Sequence, residues 1–389
     1  MKKAVPFIII LAASFFSPSR SDAQWLTDSL SDMRTQRGIA FVYNLQFSEG
    51  ENEFRELIRL HPSHPTGYFF LAMVDWWKIV IDLNNESLDN RFVRKLNRVI
   101  NLCDSILERN PNDVAALFFK GGALGFRGRL RANREQWLDA ANDGRDALPI
   151  VQQAYKIAPE NYDILLGIGI YNYYAAIIPE QYPIVKPLMV FFPKGDRKLG
   201  IQQLETASVN AKYAAIETSY FLIQLYYSYE EKYSQALAIA SRLAARFPNN
   251  ALFLRYVGRC HVNLGQWNEA CSEFSQIYER CEADSCRRPA YGKNTLREAA
   301  YYMGVCAMNR AAYEDAPKYF SRCEELSRAL DGKEDSGFRV LAALKLGMAY
   351  DVIAERDKAI QQYKKILKMR DYQKSRELAS QYLKKSYSK

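Results

Sequence analysis

Histidine is nearly absent. The 389-residue chain has three, His61, His64 and His261, and this scarcity limits the chemistry open to it. Nucleophilic catalysis of the Ser/His/Asp or Cys/His type needs an imidazole beside the nucleophile and a third group to orient it. His61 and His64 flank a proline turn with no acid or cysteine at ligand spacing, and His261 falls inside a helical run, where it reads as a packed core residue. No further Cys or His pair has the spacing of a metal site. A phosphate loop is missing as well. Gly121, Gly122, Gly125 and Gly128 cluster, but no Lys-Ser/Thr follows and no strand precedes them. Close helix packing accounts for them better. Glu230-Glu231 and Glu324-Glu325 are adjacent acids, which diverge by about 100° on a helix and read as surface charges. The expectation is a chain that is not an enzyme and takes no cofactor.

Other absences bound fold and compartment. No sustained strand-like alternation is present, so the chain reads as all-α. No low-complexity linker divides it. The apolar run from Ala4 to Phe16 is too short to cross a bilayer, which takes about 20 residues. Set between Lys2-Lys3 and Ser21-Asp22-Ala23, it has the layout of a cleaved secretory signal over residues 1–23, with Gln24 as the mature start. No cysteine follows before Cys103, so a lipoprotein anchor is not expected. The expected location is periplasmic or secreted, which argues against nucleic acid as a partner. The seven cysteines are odd in number, so at least one stands outside any pairing within the chain. Cys103, Cys260, Cys271, Cys306 and Cys323 read as buried single thiols. Cys281 and Cys286, in the run CEADSC, are the candidate pair for a small loop disulfide.

What the chain does have is periodicity. Pro62, Pro111, Pro159 and Pro248 each end a helix-like run, because proline cannot continue a helix. Tyr233 and Ala236 recur as Trp267 and Ala270, and Ile223 and Tyr227 recur as Val257 and His261, at one fixed spacing. That spacing, about 34 residues, marks a helix–turn–helix unit that cannot bury its apolar face alone and must stack on neighbours. From Ala251, the residues Val257-Gly258, His261, Gly265, Trp267, Ala270, Phe274 and Ile277 define one unit. Met303-Gly304, Tyr313, Ala316, Phe320 and Cys323 repeat it, and so do Leu346-Gly347, Tyr350, Ala359, Tyr363 and Ile366. This pattern resembles that of the tetratricopeptide-repeat family. The resemblance implies a right-handed superhelical solenoid of antiparallel helix pairs that serves as a scaffold or adaptor. It is well matched over 217–389 and degenerate over 24–216.

In that family the first helix of each unit lines a concave face. Carried onto this sequence, the face takes Trp77, Phe126, Tyr174 and Tyr229 as an aromatic stripe, with Trp76 and Tyr173 beside it. Arg255, Arg259 and Asn263 follow at i, i+4 and i+8 on one helical face. Aromatics beside arginines suit an extended peptide, with apolar anchors and a carboxylate or backbone partner for arginine. An insertion at 177–196 carries four prolines, expected to prevent a regular helix, and the apolar run Leu188 to Phe192. It is expected to fold into the concave groove as a plug, to cap an adjacent unit, or to present a partner or membrane contact. In the alternative reading it closes an aromatic-lined cavity for a lipid or other apolar small molecule. The net charge of +9 is concentrated at the end, where 356–389 holds eleven Lys or Arg against Asp357, Asp371 and Glu377. This basic terminus reads as a solvated cap or as a contact for anionic lipid, polyanion or acidic protein.

Overall fold

The computed structural model describes residue 26 and residues 28–181, 193–284 and 288–388. The expected signal segment, most of the 177–196 insertion including Leu188 to Phe192, and Cys286 lie outside the described residues. So the proposed Cys281–Cys286 bond does too.

The described residues form seventeen α-helices and no strand. Eight antiparallel pairs stack in chain order: α1 (Ser29–Tyr43) with α2 (Phe47–Leu60), α3 (Pro65–Ile81) with α4 (Asp89–Leu107), and α5 (Val114–Asn133) with α6 (Trp137–Ile157). Then come α7 (Leu165–Gln181) with α8 (Arg197–Asn210), α9 (Ala215–Ser228) with α10 (Tyr233–Arg246), and α11 (Ala251–Asn263) with α12 (Trp267–Ala283). Last are α13 (Lys293–Asn309) with α14 (Ala316–Leu330) and α15 (Gly337–Val352) with α16 (Arg356–Ile366), and α17 (Ser375–Lys384) caps the stack. Each helix packs on the next in sequence, and first helices also touch first helices, as α1 does α3 and α13 does α15. This is an all-α solenoid. No described helix is long and apolar enough to cross a membrane.

Three local devices generate the pairs. Side-chain oxygens cap helix starts: Asp113 accepts from the Ala116 amide at 2.8 Å and Asp196 from the Leu199 amide at 2.9 Å. In six of the eight pairs the turn is closed by one left-handed residue, which ends the first helix and frees the chain to reverse. Leu45, Glu135, Glu231, Ala311 and Ala354 adopt φ between +52° and +62° there, and only Gly265, at +72°, is glycine. Finally, a glycine on the first helix receives an aromatic ring from the second. A Cβ built on Gly258, Gly304 or Gly347 would come within 2.8, 2.6 and 2.6 Å of Phe274, Phe320 and Tyr363. Gly38 and Phe54 repeat this contact in the first pair, which is therefore regular despite the degenerate pattern read over 24–216.

Two readings are corrected. Pro179 does not stop α7, which continues through it to Gln181. Proline in the last turn forgoes one bond of the ladder, the one its own N–H would have made, and the helix tolerates that loss here. Cys271 and Cys306 are not single thiols: they form a disulfide joining α12 to α13, with Cα atoms 5.8 Å apart. Cys103, Cys260 and Cys323 are buried thiols, and burial pushes Cys103 and Cys323 up to about 12.

Candidate functional site

The first helices of the N-terminal pairs do not leave an open groove. They fold onto the first helices of later pairs. Glu217 on α9, 5% exposed, collects donors from three different pairs: the Tyr43 hydroxyl at 2.8 Å, the Trp77 indole at 3.2 Å and Arg129 Nη1 at 3.1 Å. Burial, followed by the adjacent Glu217, pushes the Tyr43 phenol well above its ordinary range. Arg129 also donates to Gln224 at 3.0 Å and lies over the Trp76 and Phe221 rings at 5.0 and 4.8 Å. Further out, Asn250 donates to the Tyr43 carbonyl at 2.9 Å, and Asn294 reaches Asp82 at 3.2 Å.

This arrangement separates the residues expected to form one stripe. Trp77 is 1% exposed, packed edge-on to Tyr43 and beside Tyr220 and Phe253. It cannot line an open surface, because the returning turn of the solenoid already covers it. Phe126 sits apart, against Phe69 and Trp76. Tyr174 and Tyr229 do meet, with ring centroids 5.8 Å apart, and both remain partly exposed. Tyr173, next to them, is buried and donates to Glu230 at 2.7 Å.

The arginine stripe is real but not free. Arg255 and Arg259 both grip Glu298 on α13, a fully buried carboxylate. Arg255 Nε and Nη2 lie 2.9 and 2.5 Å from its Oε2, and Arg259 Nε lies 2.5 Å from its Oε1. Burial alone would raise this carboxyl. The two guanidiniums outweigh it and hold Glu298 at about 2. Two cations share one anion, so a positive charge is left over at the partly exposed arginines. Tyr227, Tyr256 and Tyr302 surround it. Asn263 is exposed one turn on and donates to the Tyr227 hydroxyl at 3.1 Å. Of the predicted residues, Phe126, Tyr174, Arg255, Arg259 and Asn263 thus occupy at least partly exposed positions on first helices, and Tyr229 one just past the end of α9. Arg129, Glu217 and Glu298 were not anticipated. A lone acid within an apolar helix, as in AIETSYFLIQ and LREAAYYMG, was the available signal, since a buried carboxylate requires partners.

The histidines do not assemble a catalytic triad. His61 Nε2 lies 2.8 Å from Ser31 Oγ and 3.2 Å from Asp28, so both contacts fall on the same ring nitrogen. A triad needs them on opposite nitrogens. His261 is partly exposed, with Nδ1 2.7 Å from Gln266, rather than packed in the core. Among the described residues no group of three His, Cys, Asp or Glu side chains is placed to hold a metal.

The fold and this inner surface define a helical-repeat solenoid of the kind that serves as an interaction scaffold. The sequence profile of the tetratricopeptide repeat matches residues 225–285, which span the end of α9 and all of α10, α11 and α12. Solved structures of similar fold include Pseudomonas aeruginosa pilF, at 12% identity over 67% of this chain and 97% of that one, with a TM-score of 0.43. Another is the C-terminal part of a repeat-containing protein from Cytophaga hutchinsonii, at 16% identity over 77% of this chain and 99% of that one (TM-score 0.37). The human IFIT1 dimer with m7Gppp-AAAA is similar at 14% identity over 93% and 87%, with a TM-score of 0.41. No curated protein matches the chain in sequence.

Proposed function

We propose that this protein is an exported scaffold or adaptor in the cell envelope that binds a protein segment on the first-helix surface of α9, α11 and α13. The observation that carries this reading is the Arg255–Glu298–Arg259 cluster. Two guanidiniums are held rigid by one buried carboxylate, and residual positive charge is presented beside tyrosines and the exposed Asn263. Pre-organised arginines and tyrosines suit a peptide carboxylate or backbone carbonyl with an aromatic or aliphatic neighbour. Export is supported by the layout of residues 1–23 and by the Cys271–Cys306 disulfide, since such bonds persist in oxidising compartments. Nothing among the described residues supports the lipid-cavity alternative, and Trp77 packs against the chain's own Tyr220 and Phe253.

The test is site-specific photocrosslinking in an envelope extract, with the photoreactive residue at 263 or, as a control, at Val209, which is 75% exposed on α8. One protein adduct from position 263, absent from position 209 and competed by its own peptide, is expected. Equal labelling from both positions, or none from 263, would sink the inner-face assignment.

A further inference from the structure

A cleft of about 380 Å³ opens between α2, α3 and α4, away from the inner face. Each helix gives it two residues: Arg55 and Ile58, Tyr68 and Leu71, Lys95 and Arg98. Spacing of i, i+3 places each pair on one helical face. Gly67 brings α2 and α3 together beneath it, since a Cβ there would lie 2.8 Å from Ile58. The result is an apolar floor with a cationic wall.

The charge on that wall is not neutralised. Arg91 and Lys95 share the buried Asp75, at 2.7 and 2.8 Å. Arg55 and Lys78 share Glu51, at 3.3 and 2.8 Å. Arg98 has no ion-pair partner among the described residues, so three cations line the cleft, and the two carboxylates nearest Arg55 and Lys95 are each shared with a second cation. Its guanidinium is nonetheless positioned, lying over the Tyr68 ring with its carbon 4.4 Å from the centroid. The Tyr68 hydroxyl is tied to the Pro62 carbonyl at 3.0 Å, which fixes the ring. Surplus positive charge in a concave, partly apolar site concentrates anions there.

We infer that this cleft is a second binding site, for an acidic peptide segment that places carboxylates on Arg98 and Arg55 and an aliphatic side chain on Ile58 and Leu71. Its position away from α9 to α13 makes it independent of the inner-face reading. The cleft is open rather than enclosed, which suits a segment laid across it more than a small molecule, which is usually mostly buried when bound.

The full mature chain would be titrated into a fluorescein-labelled peptide of alternating glutamate and leucine, read by anisotropy. A saturable, salt-sensitive rise is expected. Arg98→Glu and Arg55→Glu, both at exposed positions, should each weaken it about tenfold. Tyr68→Ala should weaken it less, by releasing Arg98. Lys384→Glu with Lys385→Glu, on the basic terminus, should leave it unchanged. Any of four results overturns the inference: no saturation, equal binding of the lysine–leucine peptide, equal loss in the terminal variant, or displacement of the peptide by inorganic phosphate or phosphatidylglycerol vesicles at equal charge.

Discussion

Glu298 decides how the inner surface responds to pH and to mutation. Its carboxyl stands at about 2 in the folded chain, against an ordinary 4.5. A depressed folded value means that the unfolded chain takes up the proton first. The associated stabilisation is therefore full above about pH 4.5 and is lost as pH falls towards 2. Glu298→Gln keeps the volume but leaves two partly buried guanidiniums without their anion. It should cost about 3–5 kcal/mol at neutral pH, measured by urea denaturation. The same variant should show a shallower loss of stability between pH 4.5 and 2, and an unchanged slope would refute the assignment. For the same reason, Arg255→Ala with Arg259→Ala is a poor probe of binding, because it strands a buried carboxylate. The sequence placed both arginines on one helical face correctly. It did not reveal that they were occupied, because their partner is about forty residues away and pairing across repeats depends on how the pairs stack.

At the scale of the element, the repeat is built on contacts between a small residue and an aromatic ring. Gly304→Ala would drive a methyl group into Phe320, which lies 2.6 Å from the ideal Cβ position. A cost of about 1–3 kcal/mol is expected from this overpacking. The turn behaves oppositely. Ala311 holds φ +59°, where a Cβ costs roughly 1–2 kcal/mol. Ala311→Gly removes that strain at a smaller entropic cost, so a gain of up to about 1 kcal/mol is expected in the same assay; destabilisation would show that the turn is not strained. These elements explain what was legible. Gly258, Gly304 and Gly347 with their rings stand in the sequence as a spacing, and the helix pairs of 217–366 follow from it. The pair at α5 and α6 was harder to read because its helices run to 20 and 21 residues, with Pro149 inside the second, so the spacing stretches. The Cys271–Cys306 bond was missed because one cysteine lies on a second helix and the other on the next first helix. They become neighbours only when units stack.

Across the whole molecule, the solenoid curls until its beginning meets its middle, and Glu217 ties the two together. The residues it binds come from α1, α3 and α5, while its own helix is α9, so this one side chain links four pairs. Nothing in a nearest-neighbour repeat demands such a contact, and so no periodicity could announce it. Glu217→Ala should leave the Tyr43 hydroxyl and the Trp77 indole without their acceptor in a buried site and Arg129 without its carboxylate, with only Gln224 still accepting from it, a loss of about 3–5 kcal/mol. Closure adds a consequence that a merely local defect would not have. With the tie removed, the first two pairs are free to swing away from α9 and α11, and the radius of gyration in small-angle scattering should rise. Glu230→Ala is the matched control. Glu230 also accepts two donors, Tyr173 at 2.7 Å and Arg197 at 2.8 Å, but both come from the adjacent pair, α7 and α8. It should destabilise without expanding the molecule. Equal dimensions for the two variants would mean that apolar contacts such as Trp77 against Phe253 hold the curl by themselves, and that Glu217 only satisfies the polar groups trapped beneath it.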